Sequence, residues 1–242
     1  MESREARLSA AFVKLAGRLT DEFDVIDLLQ TLAEECADTL DTQAAGIMLV
    51  DGDGQLQLIV STSEETDLVE VMALNAGEGP CVDCFRSSAP ITVGDIEDGR
   101  DRWPAFSREA LRNGFRSVHA TPLRLRGQAI GALNLFSVHV GALGDADVAV
   151  AQALADVSTI GLIQEDRAAD ATLVPRQLAR AFDARILVEQ AKGVIAEGEG
   201  VPISEAFALL RQHAQANDMT LRAAAVAATS GQDIDWRQGA SK

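Results

Sequence analysis

Two groups of residues in this 242-residue chain have types and spacings that chemistry can use. The first is Cys81-x-x-Cys84. Two thiols three residues apart can form a redox pair or supply half of a zinc site. Zinc needs about two more ligands, and no second Cys-x-x-Cys and no paired histidines stand nearby. His119 and His139 join the pair only if strand register brings them together. Cys81 and Cys84 are therefore a candidate redox pair set against the plain reading of two partly buried thiols, and no metal set is expected. The second group is cationic. Arg185 and Lys192 are seven residues apart, two helical turns and roughly 10 Å along an axis, about opposite an apolar stripe. Gly193 follows, at a helix-interior position where glycine costs about 1 kcal/mol relative to alanine. Arg211 flanks the apolar face of the next helical segment, and Arg222 opens the one after it. Guanidinium planes stack on unstacked bases and ammonium groups meet phosphates, so this arrangement suits RNA loops. The plain alternative is a solvated helix in which Arg185 pairs with Glu189 at i+4. No nucleophile-base constellation, P-loop or dinucleotide fingerprint occurs, so no enzyme is expected.

The net charge of −16 at first argues against nucleic acid, since a chain that grips phosphates carries a basic footprint. The charge, however, has a location. Residues 1–175 hold 13 Lys+Arg against 29 Asp+Glu, whereas residues 176–242 hold 8 against 8. Two modules with different partners are implied, with the boundary at Pro175. A hydrophobic content of 47% is enough for real cores, and no apolar run approaches a membrane span. Met1–Leu8 lacks the order of a signal peptide, and three cysteines fit a reducing cytosol, so a cytoplasmic protein without membrane contact is expected.

The elements that must position these residues follow from periodicity. The first 40 residues read as helix, with Val25, Leu28, Leu29, Leu32, Cys36 and Leu40 on one face. Ala44–Val50 and Gln55–Ser61 flank Asp51-Gly52-Asp53-Gly54, a hairpin signal. Glu64–Leu74 can form a helix that Gly77, Gly79 and Pro80 break. Ile91–Val93 is a short strand, Asp95–Arg102 an acidic loop, and Ala105–Asn113 a helix ended by Gly114. Ser117–Leu123 and Ala129–Ser137 form a second hairpin around Gly127, and helix returns from Asp145 to about Arg167. This order predicts an α+β domain whose antiparallel sheet carries helices on one face. Beyond Pro175 the period is purely helical: Gln177–Glu197, then a helix capped by Ser204 running to about Asn217, then one capped by Thr220 ending near Ser230-Gly231.

The long helix carries Ala184, Leu187, Val188, Ala191, Val194 and Ile195 on one face, the expected bundle core. Phe207 is expected in the core as well. Leu178, Phe182 and Ile186 make a second apolar stripe at four-residue steps, more than three helices can cover, so a homodimer through these residues is expected.

The residues from Ile186 to Ala225, with the run Glu189-Gln190-Ala191-Lys192-Gly193, then Glu205-Ala206-Phe207 and Leu209-Leu210-Arg211, resemble the ANTAR module of bacterial antitermination regulators. That family often has Asp-Val after the Leu-Arg pair of its last helix; Ala223-Ala224 stand there in this chain. Upstream, GEGPC at Gly77–Cys81, RWPAF at Arg102–Phe106 and the segment Arg116–Phe136 resemble GAF domains of the type fused to ANTAR. The resemblance implies a GAF sensor at 1–167, a linker at 168–175, an ANTAR three-helix bundle at 176–232 and a tail at 233–242. It further implies that Arg185, Ala191, Lys192, Gly193, Arg211 and Arg222 contact hairpin loops of leader transcripts, favouring an antiterminator fold under control of an unnamed small-molecule or redox signal. Two other readings remain open at this point: a helical tail that docks on a protein partner, and a thiol sensor acting through Cys81 and Cys84.

Overall fold

The computed structural model describes residues 3–18, 24–164, 173–231 and 234–236. Its sheet is built from two hairpins. Strands β1 (Ala44–Val50) and β2 (Leu56–Ser61) are joined by a turn that Asp51 organises. The Asp51 N–H donates to the Gln55 carbonyl at 2.8 Å, and its carboxylate accepts from the Asp53 and Gln55 N–H groups at 3.0 and 2.9 Å. In the second hairpin, β4 (Ser117–Leu125) and β5 (Gln128–Ser137) meet through Arg126 and Gly127 at φ 50° and 85°. Two successive positive φ values are what a two-residue turn between right-twisted strands requires. With β3 (Ile91–Val93) at one edge, the order is β2-β1-β5-β4-β3, antiparallel throughout.

Helices cover both faces of this sheet, not one as the element order predicts. Ala45, Ile47, Leu49, Leu133 and Leu135 lie under α2 (Val25–Thr39) and α6 (Asp145–Gln164), and α1 (Arg4–Arg18) packs on those two helices. Ala44, Met48, Ala120, Ala132 and Phe136 lie under α3 (Glu64–Ala76), α4 (Pro80–Ser87) and α5 (Pro104–Arg112). The physical sign is in β1, whose residues are apolar without alternation because neither face meets water. Helix α4 is absent from the sequence reading. It begins at Gly79, whose φ of 138° excludes most side chains, with Pro80 at the first helical position.

One polar group sits inside the second core. Glu70 on α3 is fully buried, accepts from the Asn134 amide at 2.7 Å, and has Cys81 beside it. Gly46 makes room for it: a Cβ there would stand 2.8 Å from Glu70 Oε1. Burial raises the Glu70 carboxyl to about 8, so it is mostly protonated at neutral pH.

The remaining described helices, α7 (Leu173–Glu199), α8 (Ile203–Ala216) and α9 (Leu221–Thr229), form a bundle. Pro175 is the third residue of α7, inside the first turn, where its missing N–H has no intrahelical partner to lose. Three expectations are corrected. Pro202, not Ser204, is the cap position of α8. Val194, expected in the core, is 49% exposed, while Lys192, expected on the opposite side, is 7% exposed. The buried residues of α7 include Leu178, Ala181, Ala184, Val188, Ala191, Lys192 and Ile195; they face α8 and α9 and, because the bundle also packs on the first domain, α2 and β2. The expected tail contributes too: Trp236 is buried against His213, with ring centroids 4.9 Å apart. Residues 165–172, which include most of the expected linker, lie outside the described residues.

A folded-state carboxyl held above its unfolded value favours folding at low pH and loses that contribution as pH rises through the folded value. Glu70 should therefore weaken the fold progressively between about pH 4.5 and 8. Glu70→Gln, which keeps an acceptor for Asn134 and cannot ionise, is expected to melt higher than the parent at pH 8.5, with the gap closing toward pH 5. Thermal melts across that range check this, and a constant gap would contradict it.

Candidate nucleic-acid interface

Lys192 and Arg211 flank the half-buried ring of Phe207 at one face of the bundle, and Arg185 lines one cavity with Lys192 and that ring. Arg185 and Lys192 project from α7 at the same angular position, two turns apart, and α8 brings Phe207 and Arg211 alongside. Lys192 Nζ stands 5.6 Å from the Phe207 ring centroid and Arg211 Cζ 6.0 Å, distances at which a cation is attracted to an aromatic face. Phe207 is therefore a platform between two cations and not a fully enclosed core residue.

Each cation has a partner, and two of the cations, Arg185 and Arg211, find partners in the first domain. Arg185 Nη1 donates to the Ile59 carbonyl of β2 at 3.0 Å, while Nη2 lies 3.6 Å from Asp67 and 3.7 Å from Glu189. Arg211 Nη2 donates to Glu34 Oε2 at 2.6 Å. Lys192 Nζ pairs with Glu189 at 3.0 Å. A third carboxylate of the first domain, Asp27 on α2, accepts the Leu221 N–H at the start of α9 at 3.1 and 3.2 Å. Burial raises Asp27 to about 6 despite that bond, and burial also raises Asp67 despite Arg185 and Lys192. Between the domains a cavity of about 80 Å³ is lined by Asp67, Arg185, Lys192, Ser204 and Phe207 among others.

The other expected RNA contacts lie elsewhere. Ala191 is fully buried. Gly193 is exposed and a Cβ there would meet nothing within 4 Å, so packing does not explain this glycine. Arg222 is exposed on α9, beside a cavity it shares with Asp24, Arg180 and Asp183. Of the expected dimer stripe, Leu178 is buried in the shared core, Phe182 packs against its edge, and Ile186 is 57% exposed. Cys81 and Cys84 are buried and unpaired, and burial pushes both thiols up, Cys84 to about 12. Thiols in that state hold little nucleophilic thiolate. His119, lowered to about 4 by burial, contacts Thr92 through Nδ1 at 2.7 Å and lines one cavity with His139. Among the described residues no cluster of three or more His, Cys, Asp or Glu side chains is arranged to hold a metal ion. Asp27, Glu34 and Asp67 are the residues that sequence reasoning misses. They lie 118 or more positions from their cationic or amide partners, and the acidic excess before Pro175 was their sole trace.

A five-stranded sheet under helices on both faces, followed by a three-helix bundle that gathers cations, makes a chain of two modules of different class. Residues 24–162 match the family model of the GAF domain, and residues 176–227 match that of the ANTAR domain. The chain belongs to the GAF-ANTAR proteins, in which a sensor domain is fused to an RNA-binding regulatory domain. Among solved structures, the GAF domain of a phosphoenolpyruvate-protein phosphotransferase from Acinetobacter is similar with a TM-score of 0.54 at 13% identity, covering 71% of this chain and 99% of that one. The GAF domain of a phosphoenolpyruvate-protein phosphotransferase from Coxiella burnetii gives 0.52 at 14% identity, covering 66% and 95%. These likenesses show the fold. No curated protein matches the chain. No described helix is long and apolar enough to cross a membrane.

Gly193→Ala removes a flexible residue from an exposed helix position with open space around it, and is expected to stabilise the chain by about 0.5–1 kcal/mol. Urea unfolding measures the change. A destabilised variant would mean that packing, after all, needs the glycine.

Proposed function

We propose that this protein is a transcription antitermination regulator that binds hairpin loops of nascent leader RNA through its ANTAR bundle, under the control of a signal sensed by its GAF domain. The observation that carries the reading is the placement of Lys192 and Arg211 over the Phe207 ring, with Arg185 on the cavity that Lys192 and Phe207 also line. An RNA loop offers splayed bases and closely spaced phosphates, and one aromatic face flanked by cations suits both. Gly193, next to Lys192 on α7, lets a sugar edge approach the helix without side-chain obstruction in this reading, and Arg222 offers a separate cation on α9, beside another cavity. The regulator acts in the cytoplasm as a homodimer, with the exposed Ile186 and Val194 of α7 as the place where a second copy pairs. Two copies supply two sets of cations, which compensates for an output module without net positive charge. The regulator catalyses no reaction, and its signal is a small molecule or a redox change.

With three cations per site and about −0.7 per phosphate on single strands, the logarithm of the binding constant should fall with the logarithm of salt at a slope of about −2 per protomer. Lys192→Gln and Arg211→Gln should each weaken binding about tenfold and flatten that slope. Filter binding to a library of RNA hairpins with randomised loops, at several salt concentrations, checks both. Binding that ignores salt and both substitutions would remove RNA from the reading and leave the protein-docking alternative.

A further inference from the structure

The bundle face proposed for RNA is the face that rests on the GAF domain. Three positive points on the bundle meet three carboxylates on the sensor: Arg185 meets Asp67, Arg211 meets Glu34, and the N-terminus of α9, where unbonded N–H groups carry partial positive charge, meets Asp27. Each contact is of the kind a phosphate makes, an anionic oxygen on a guanidinium or on a helix-terminal N–H. The burial is substantial: only 20% of the Arg185 side chain, 34% of Arg211 and 9% of Lys192 reach solvent. An RNA loop cannot occupy these groups while the sensor does.

We propose that Asp27, Glu34 and Asp67 form a surface on the GAF domain that binds the ANTAR bundle in competition with RNA, so that the docked chain is the closed form of the regulator. This rests on the RNA reading given above and adds how access to RNA is controlled. Three features of the contact suit a reversible closure. The carboxylates come from two helices, α2 and α3, so a small shift of either within the sensor misaligns them. The Ile59 carbonyl that holds Arg185 belongs to β2, a sheet edge. The acids are also not at ease when docked, since burial outweighs their partners at Asp27 and Asp67; adhesion comes from the apolar contact and the carboxylates set what it competes with.

The test uses the full chain carrying Glu34→Gln and Asp67→Asn together, which neutralises two of the three sensor carboxylates, keeps Asp27 as the reporter's partner, and replaces none of the proposed RNA contacts. Hydrogen exchange at the Leu221 amide reports docking, because that N–H is held by Asp27. The hairpin library with randomised loops reports RNA affinity. Apparent affinity scales with the fraction of open molecules, so the variant should show faster exchange at Leu221 and binding about tenfold tighter than the parent. Competition is reciprocal, so saturating library RNA should also accelerate Leu221 exchange in the parent chain. Faster exchange with unchanged, measurable RNA affinity would overturn the competition and leave the RNA reading standing. Unchanged exchange would show that the two carboxylates do not hold the contact and would overturn the proposal from the other side. An opened variant that binds no hairpin at low salt would overturn it through the RNA reading itself.

Discussion

Helix α2 is wedged between the sheet and the bundle, and most of the structure depends on that wedge. Val25, Ile26, Leu28, Leu29, Leu32, Ala33 and Cys36 are all nearly inaccessible, which leaves the helix little free surface. Part of that apolar surface faces β1, β5 and α6, and the rest continues into the core built by Leu178, Ala184, Val188, Leu210 and Leu221. The two domains therefore share one hydrophobic core on this side. Burial of a single Leu or Val side chain is worth about 1.5–3 kcal/mol, whereas a solvent-exposed ion pair contributes about 0–1 kcal/mol. Adhesion between the modules comes from the first, and the ion pairs are placed by it.

Magnitudes of this kind explain why the charged residues do not behave as glue. Asp27 receives an N–H bond from Leu221 and still rises to about 6, because leaving water costs the carboxylate more than that bond returns. Asp67 behaves alike beside Arg185. A purely apolar contact would be tighter and would have no preference among partners. Carboxylates that match guanidinium groups give register at some expense in strength, and they do so on the surface that the proposed RNA partner needs.

Local signals were legible and long-range ones were not. Asp51-Gly52-Asp53-Gly54 and Gly127 announce their hairpins because turn chemistry lies within a few residues, whereas the positive φ of Arg126 shows only in the structure. Strand β1 is legible in the sequence from Ala44 to Val50, and its unbroken apolar run also signals that helices cover both faces. Helix α4 escaped, being eight residues long with its start marked by Gly-Pro, a pair that reads as a break. On α7 the period was right and its phase wrong. Val194 and Lys192 exchange the roles that a free-standing bundle would assign them, and α7 meets α2 and β2 of the first domain as well as its own bundle, contacts that lie too far upstream for any period to carry. Arg185, Lys192 and Arg211 could be singled out from spacing and resemblance. Their partners could not, because no period connects Arg211 to Glu34.

The net charge of −16 changes meaning in this light. Summed over the chain it opposes RNA, and divided at Pro175 it makes the sensor acidic and the bundle neutral. Position matters more than either sum. Glu34 and Asp67 stand within 2.6 and 3.6 Å of the cations proposed to hold RNA, where a carboxylate cancels a guanidinium far more completely than a distant charge screened over about 8–10 Å of salt solution. Acidity elsewhere on the sensor acts weakly and over many directions; these carboxylates act on one surface and only while the domains touch. If the domains part, the same charges lie on a separate body, and the bundle meets RNA with Arg185 and Arg211 no longer paired to the sensor.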